Sequence, residues 1–496
     1  MRWIRGSRLY HVIMLALLIS VEGSAADGSP DAPTTISKSG GLTPEQEALW
    51  DMTASRATPL DVEILSSHVV NNCQVQDILF TSEVGANGAN RIYCGIAWPL
   101  NGQGPFPPLL DLHGGGGKGS ADRALSFAQQ FNVLAISLDW GGKLPDDPDP
   151  LRTVWRSPPI GGQETVGLNS AQHEVIVACR RALDYAAEQP DVSMAKVVVY
   201  GGSWGAYYAM LLSGIDPRVT DTICIAGAGG WRDSHSLIAE GVGRLPEAQR
   251  ETWYRTLDPI AYAQNTQSDV SQIAYTNDSY FWLGGLQENF KALAGPKRIV
   301  IAPNNDHGIG TQAEPIATWP FPVSILKHHL EGDPFPEVTS GSLQEGPPGE
   351  FSWKTTGPAV QTAALYFSPG HGNWRSRYWV EVPAHFDGTA WRASLPGHLH
   401  NVAGSYYVTV AASQNRVACS TVLSREGKDP QLEGVALWPG DSLWNTAAGR
   451  LAWRTSIYHT GTTIQPAGVA GFRIVPGADA EFEVLTDSAL LLGPRA

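Results

Sequence analysis

The chain has 496 residues, a formal charge of −14 at pH 7, 43% hydrophobic residues and 17% charged residues. It is too long for one ordinary core, so two or three domains are expected. The acidic balance argues against nucleic acid or an anionic membrane surface as the main partner.

Arg2, Arg5 and Arg8 precede an apolar run over 12–21, and Gly23-Ser24-Ala25-Ala26 follows it. That is the layout of a secretory signal peptide over 1–26, cleaved after Ala25 or Ala26. The run is too short to cross about 30 Å of hydrocarbon as a helix, so a secreted or periplasmic protein without stable membrane insertion is expected. Residues 27–59 read as a polar leader with one short helix around 44–55. Strand-like runs then cover 62–70, 76–81 and 92–98, with a Gly/Asn turn at 85–90. Beyond them strands and helices alternate: strand 109–112, helix 120–131, strand 133–138, helix 171–189, strand 197–200, a helix after Ser203, and strand 222–226. An insertion at 231–263 is followed by strand 272–275, helix 280–293, strand 298–302 and helix 322–330. Alternation of this kind predicts a mostly parallel sheet covered by helices on both faces, over 60–332.

The Pro- and Gly-rich stretch 333–357 reads as a linker. Past it the apolar period becomes two, at 363–367, 378–382, 406–411, 416–423, 451–458, 471–474 and 480–485. Residues 358–496 are therefore expected to be an all-β, sandwich-like accessory domain. Of the five cysteines, Cys179 and Cys224 sit in helix and strand patterns and read as buried thiols. Cys73 and Cys94 could bridge in an oxidising compartment, although their offsets from the 85–90 turn do not suit simple hairpin pairing. No Cys or His spacing resembles a zinc site, and no metal or organic cofactor is expected.

The chemistry gathers at strand ends, where open parallel sheets place ligands. Val197-Val198-Val199-Tyr200 runs into Gly201-Gly202-Ser203-Trp204-Gly205 and then an apolar helix. A strand turning sharply into a helix at G-x-S-x-G leaves the serine Oγ proud of the sheet. After strand 109–112 comes His113-Gly114-Gly115-Gly116-Gly117, a loop able to fold tightly and offer N–H groups to a substrate oxygen. Asp278 follows strand 272–275, and His307 follows strand 298–302. The order Ser203, Asp278, His307 is that of α/β-hydrolases. His307 would act as general base and acid, and Asp278 would hold its tautomer. Asp306 is the rival acid, disfavoured because it adjoins His307, and Asp258 reads as a cap or turn residue.

On these motifs, and on Arg181-Ala182-Leu183-Asp184-Tyr185 with Gln189-Pro190-Asp191-Val192 leading into the serine turn, residues 60–330 resemble the α/β-hydrolases of the acetyl xylan esterase and dienelactone hydrolase type. Ala364-Leu365-Tyr366-Phe367-Ser368 and Trp374-Arg375-Ser376-Arg377-Tyr378-Trp379 resemble the β appendage of secreted pathogenicity-type hydrolases. The resemblance implies Gly115 and Trp204 N–H groups as oxyanion donors, with Trp204 departing from the Gln or Tyr frequent there. It also implies a lid at 231–263, bearing Arg232, Asp233 and His235. Trp140, Trp282 and His113 are candidate substrate-pocket residues, core packing being the alternative for the two indoles. The function expected is a secreted serine esterase acting through an acyl-serine on a small or carbohydrate ester, with acyl group and oligomeric state left open. A peptidase of the prolyl-oligopeptidase type is the first rival, though no propeller-like repeats precede the hydrolase region. The second is a glycan-binding protein on a hydrolase scaffold that uses the C-terminal tryptophans.

Overall fold

The computed structural model describes residues 41–85, 87–102, 104–142, 149–155, 165–232, 234, 236–305, 307, 320–369 and 379–425, with strand segments 469–474, 482–486 and 490–492. The expected signal peptide, most of the leader, Asp233, His235, Asp306, the 374–378 motif and strand 451–458 lie outside them.

Three antiparallel strands, β1 (Glu63–Val70), β2 (Cys73–Gly85) and β3 (Gly88–Pro99), form one side of the main sheet. Six shorter strands follow: β4 (Pro108–Leu112), β5 (Leu134–Leu138), β6 (Val198–Gly202), β7 (Asp221–Ile225), β8 (Asp269–Tyr275) and β9 (Lys297–Ala302). The sheet order is β1-β2-β3-β5-β4-β6-β7-β8-β9, antiparallel up to the β3–β5 pair and parallel from β5 onward. In chain order the helices are α1 (Pro44–Leu49), α2 (Thr53–Ala57), α3 (Ala121–Gln130), α4 (Ala171–Ala187), α5 (Trp204–Ile215), α6 (Leu237–Gly243), α7 (Glu247–Thr256), α8 (Leu283–Ala292) and α9 (Pro320–Glu331).

The parallel strands are apolar on both faces because both faces are covered. Leu109, Ala135, Val198 and Ile223 face one core with Ala124 and Ala128 of α3 and Ile325 and Leu326 of α9. Their chain neighbours Leu110, Ile136, Val199 and Cys224 face the other core with Val175, Ala178 and Ala182 of α4, Met210 of α5 and Leu286 and Phe290 of α8. Serine side chains start two of these helices: Ser120 accepts the Arg123 N–H at 3.3 Å, and Ser170 accepts the His173 N–H at 3.1 Å. These layers are an α/β-hydrolase fold.

The stretch 333–357 is not the linker expected from its prolines and glycines. Glu350–Trp353 pairs with Trp391–Ser394, and Phe351 and Trp353 alternate inward into the core of the β region with Leu365, Phe367, Val408 and Val410. Its strands are two to four residues long, too short to show a period of two between turn residues. The five-stranded sheet of this region centres on Val360–Pro369, flanked by Val380–Pro383 and Gly404–Ala412.

This β region lies against the hydrolase layers. The Ile301 N–H on the outer edge of β9 donates to Cys419 Sγ at 3.2 Å, and Ser324 Oγ of α9 donates to the Asn415 carbonyl at 3.1 Å. An edge strand with unpaired backbone groups is thereby covered. All five cysteines are buried and free, and the β2–β3 register, with Cys73 opposite Pro99 and Cys94 opposite Ile78, keeps Cys73 from Cys94.

Candidate active site

Ser203 stands where β6 turns into α5, with φ 55° and ψ −119°. The two glycines around it have no room for side chains: a Cβ on Gly201 would lie 2.2 Å from the Gly205 carbonyl oxygen, and one on Gly205 would lie 2.0 Å from that of Leu112. The Ser203 N–H donates to the Ile225 carbonyl at 2.7 Å, which ties the strained turn to β7.

Asp278 follows β8 and is fully buried. Its Oδ1 accepts the N–H groups of Tyr280 at 2.9 Å and Phe281 at 2.8 Å. Its Oδ2 is 2.9 Å from His307 Nδ1, and His307 Nε2 is 2.8 Å from Ser203 Oγ. The imidazole is flanked by the Tyr280 ring, 4.9 Å between centroids, and the Phe281 ring, stacked at 5.9 Å. Three side chains from distant segments thus meet at the C-terminal rim of the sheet. An imidazole placed so can pass a proton between a hydroxyl and an incoming group while the carboxylate holds its other nitrogen.

The glycine loop after β4 is braced from behind. His113 Nδ1 donates to the Gly114 carbonyl at 2.8 Å, and the Gly117 N–H donates to the same oxygen at 3.0 Å. Trp140 Nε1 donates to the His113 carbonyl at 2.6 Å, with the two rings stacked 4.6 Å apart. Trp140 is 1% exposed, which corrects its expected place in the substrate pocket: its indole is a buried prop. His113, 3% exposed, touches the wall of the cleft but spends its ring on Trp140 and its Nδ1 on the loop. Gly115 lies over the Trp204 ring, where an added Cβ would come within 2.9 Å of Cδ1. Trp204 opens α5, so its N–H is one of the helix-end donors without an intrahelical acceptor.

A cleft of about 390 Å³ reaches Ser203 and His307, with Gly114, Arg123, Phe127 and Tyr200 in its walls. Trp282 is not among its described lining residues; the half-buried indole lies over Gly284 at the start of α8. The aromatic rings near the serine are others: Trp204 packs against Tyr207 at 5.4 Å and Trp231 at 5.6 Å, and Trp231 packs against Trp253 at 4.9 Å. Trp231 and Trp253 come from the 231–263 insertion. The sequence marks Trp204 as a departure that bears on pocket shape, and the Tyr207 ring three residues on, at helical spacing, is the local sign of its packing partner.

That insertion is anchored by Asp258, a fully buried carboxylate that accepts N–H groups of Gly230 at 2.9 Å, Trp231 at 2.8 Å and Ile260 at 3.3 Å. Burial pushes its carboxyl up to about 6, against the pull of those donors. A carboxyl raised on folding contributes fully below the ordinary carboxylate range, and the contribution is lost as pH rises through the folded value. Between about pH 4 and pH 7 the urea-unfolding free energy of the wild type is expected to fall by about 2 kcal/mol more than that of Asp258→Asn. Parallel pH dependences in the two proteins would rule this out.

Residues 242–346 match the family model described as PhoPQ-activated pathogenicity-related protein. That stretch runs from the insertion into the β region and lies outside the 364–379 segment that carried the resemblance in sequence. An 82-residue stretch is 35% identical to the acetyl esterase Axe7A of Xylanibacter ruminicola, covering 16% of this chain and 18% of that protein. The chain therefore spans less than a fifth of that curated relative. Among solved structures, an acetyl xylan esterase from Paenibacillus sp. R4 aligns over 59% of this chain and 95% of its own, at 22% identity and a TM-score of 0.48. Acetyl xylan esterase 1 from Thermoanaerobacterium sp. JW/SL YS485 aligns over the same shares at 17% identity and a TM-score of 0.44. Among the described residues, no helix is long and apolar enough to cross a membrane.

Proposed function

We propose that this chain is an exported serine esterase that removes small acyl groups, acetyl foremost, from carbohydrate or similar alcohols. The observation that carries the reading is the continuous line from Asp278 Oδ2 through His307 to Ser203 Oγ, with contacts of 2.9 and 2.8 Å. In this reading Ser203 Oγ attacks the ester carbonyl carbon while His307 Nε2 takes its proton. The oxygen that becomes negative is met by the N–H groups of Gly115 and Trp204. Collapse breaks the bond to the alcohol oxygen, which leaves with the proton from His307, and acyl-Ser203 remains. Water then attacks the acyl carbon and gives its proton to His307; collapse breaks the bond from that carbon to Ser203 Oγ, which takes the proton back from His307 as the acid leaves. Neither half-reaction needs an electron acceptor or a bound cation.

The acyl class rests on the acetyl esterase relative, the carbohydrate alcohol on the resemblance carried by the sequence motifs, and export on the residues before Asp27. A fluorophosphonate probe is expected to modify Ser203 alone, located by peptide mass. The purified protein is expected to release acetate from acetylated xylo-oligosaccharides and to leave a peptide library uncut. A folded protein that takes no probe would end the serine-esterase reading, and peptide cleavage without acetate release would favour the peptidase.

A further inference from the structure

We infer that the C-terminal β region is a working part of the active site, with Asn304 as the positioning residue through which it holds His307. The inference rests on the esterase reading and adds to it what sets the base in place.

Asn304 lies just after β9, three residues before His307, and is 3% exposed. Its φ of 54° is a left-handed conformation that asparagine tolerates better than other residues with a Cβ. Its carboxamide makes a two-point pair with the backbone of Trp379: Nδ2 donates to the Trp379 carbonyl at 2.9 Å, and Oδ1 accepts the Trp379 N–H at 2.8 Å. A carbonyl only accepts and an N–H only donates, so the two contacts also fix which way the amide faces. Trp379 belongs to the β region, where it is 3% exposed and its ring meets Tyr407 at 5.1 Å.

The backbone of Asn304 points the other way, toward the acid. Its N–H donates to Thr276 Oγ1 at 2.7 Å, and the next residue accepts from the same segment, Asn277 N–H to the Asn305 carbonyl at 3.0 Å. Thr276 and Asn277 immediately precede Asp278. The turn that presents His307 is thus pinned on one side to the segment carrying Asp278 and on the other to the β region. A second strut runs from the β region to α8, where Gln287 Oε1 accepts the Val422 N–H at 2.5 Å. The β region therefore bears on both the His307 segment and the helix that follows Asp278. With the imidazole in contact at both nitrogens, a shift of its turn opens one contact or the other.

The test uses the full chain and p-nitrophenyl acetate, with competent sites counted by saturating fluorophosphonate labelling. Asn304→Gly keeps the left-handed backbone accessible and removes both bonds to Trp379. Its kcat per labelled site is expected to fall about 10²-fold, the scale set by misplacement of about 1 Å, with little change in KM. Asn304→Asp retains an acceptor for the Trp379 N–H but sets its second carboxylate oxygen against the Trp379 carbonyl, so its loss is expected to be no smaller than that of Asn304→Gly; it also serves if the glycine variant does not fold. Wild-type kcat per site in the variant that folds would overturn the inference. So would a loss confined to the number of labelled sites, which would make Asn304 a stability residue only. Ser203→Ala, run beside them, separates the two levels: if it stays active the esterase reading fails, whatever Asn304 does.

Discussion

Ser203→Ala is expected to lower kcat for an activated acetyl ester about 10^6-fold, the loss seen when a nucleophile is removed from a working triad. The substitution deletes one oxygen and little else. The backbone at φ 55° is strained for serine and alanine alike, and the Ser203 N–H bond to Ile225 does not involve the side chain. The urea-unfolding midpoint should therefore stay close to that of the wild type while turnover disappears. Residual catalysis over water would come from the glycine loop and substrate binding, which the change leaves alone. A second alanine at His307 should then cost little more, because groups that act as a unit are strongly non-additive. Retention of most turnover by the folded single variant, or a large further loss in the double one, would mean that the ester is cleaved by other groups.

That Ser203, Asp278 and His307 would lie near one another was legible because each follows a strand of the alternating β/α region, and a parallel sheet sends all such ends to one rim. The same logic recovered strands β4 to β9 within a few residues. It could not say which way a tryptophan at a strand end points. Trp140 follows β5 just as Asp278 follows β8, yet its indole turns under the glycine loop to reach the His113 carbonyl. Its burial depends on the loop that covers it, and that loop is not local in sequence. The 333–357 segment was misread for a related reason: Phe351 and Trp353 alternate over too few residues to stand out among prolines and glycines. Asn304 carried a faint local sign, an Asn-Asn pair suited to a left-handed turn. Its partner Trp379 lies 75 residues further on in a different layer, and spacing alone gives no hint of it.

The structure also separates two kinds of support around the nucleophile. The glycine loop is propped by the buried Trp140–His113 stack, and the insertion is hung from Asp258. The stack bears on the loop whose N–H group meets the oxyanion in the proposed reaction, and Asp258 holds Trp231, whose ring packs on Trp204. Trp204 belongs to neither support. It offers a backbone N–H to the developing oxyanion in that reading, and its ring, lying under Gly115, sets the floor of the same loop. Its replacement by a smaller residue would keep the N–H and loosen the floor, so backbone donation and ring packing at one position are separable roles.

Asp278→Asn is expected to reduce kcat about 10^4-fold while leaving stability nearly intact, as in a triad whose acid is changed to its amide. The reason lies in the hydrogen bonds at the two carboxylate oxygens. Oδ1 accepts from the Tyr280 and Phe281 N–H groups at 2.9 and 2.8 Å, so only the amide oxygen of the new side chain can occupy that place. The amide nitrogen is then turned toward His307 Nδ1, 2.9 Å away in the wild type, and offers it a proton instead of accepting one. An imidazole that accepts at Nδ1 carries its proton on Nε2. That nitrogen then faces Ser203 Oγ as a donor, unable to take the hydroxyl proton. Asp278→Ala should behave differently, since it also strips both backbone N–H groups of their acceptor and lowers stability by about 2–4 kcal/mol. Comparison of urea midpoints with kcat in the two variants checks the argument. An Asp278→Asn enzyme that keeps activity within about tenfold of wild type, against the expected four decades, would show that a different carboxylate orients His307.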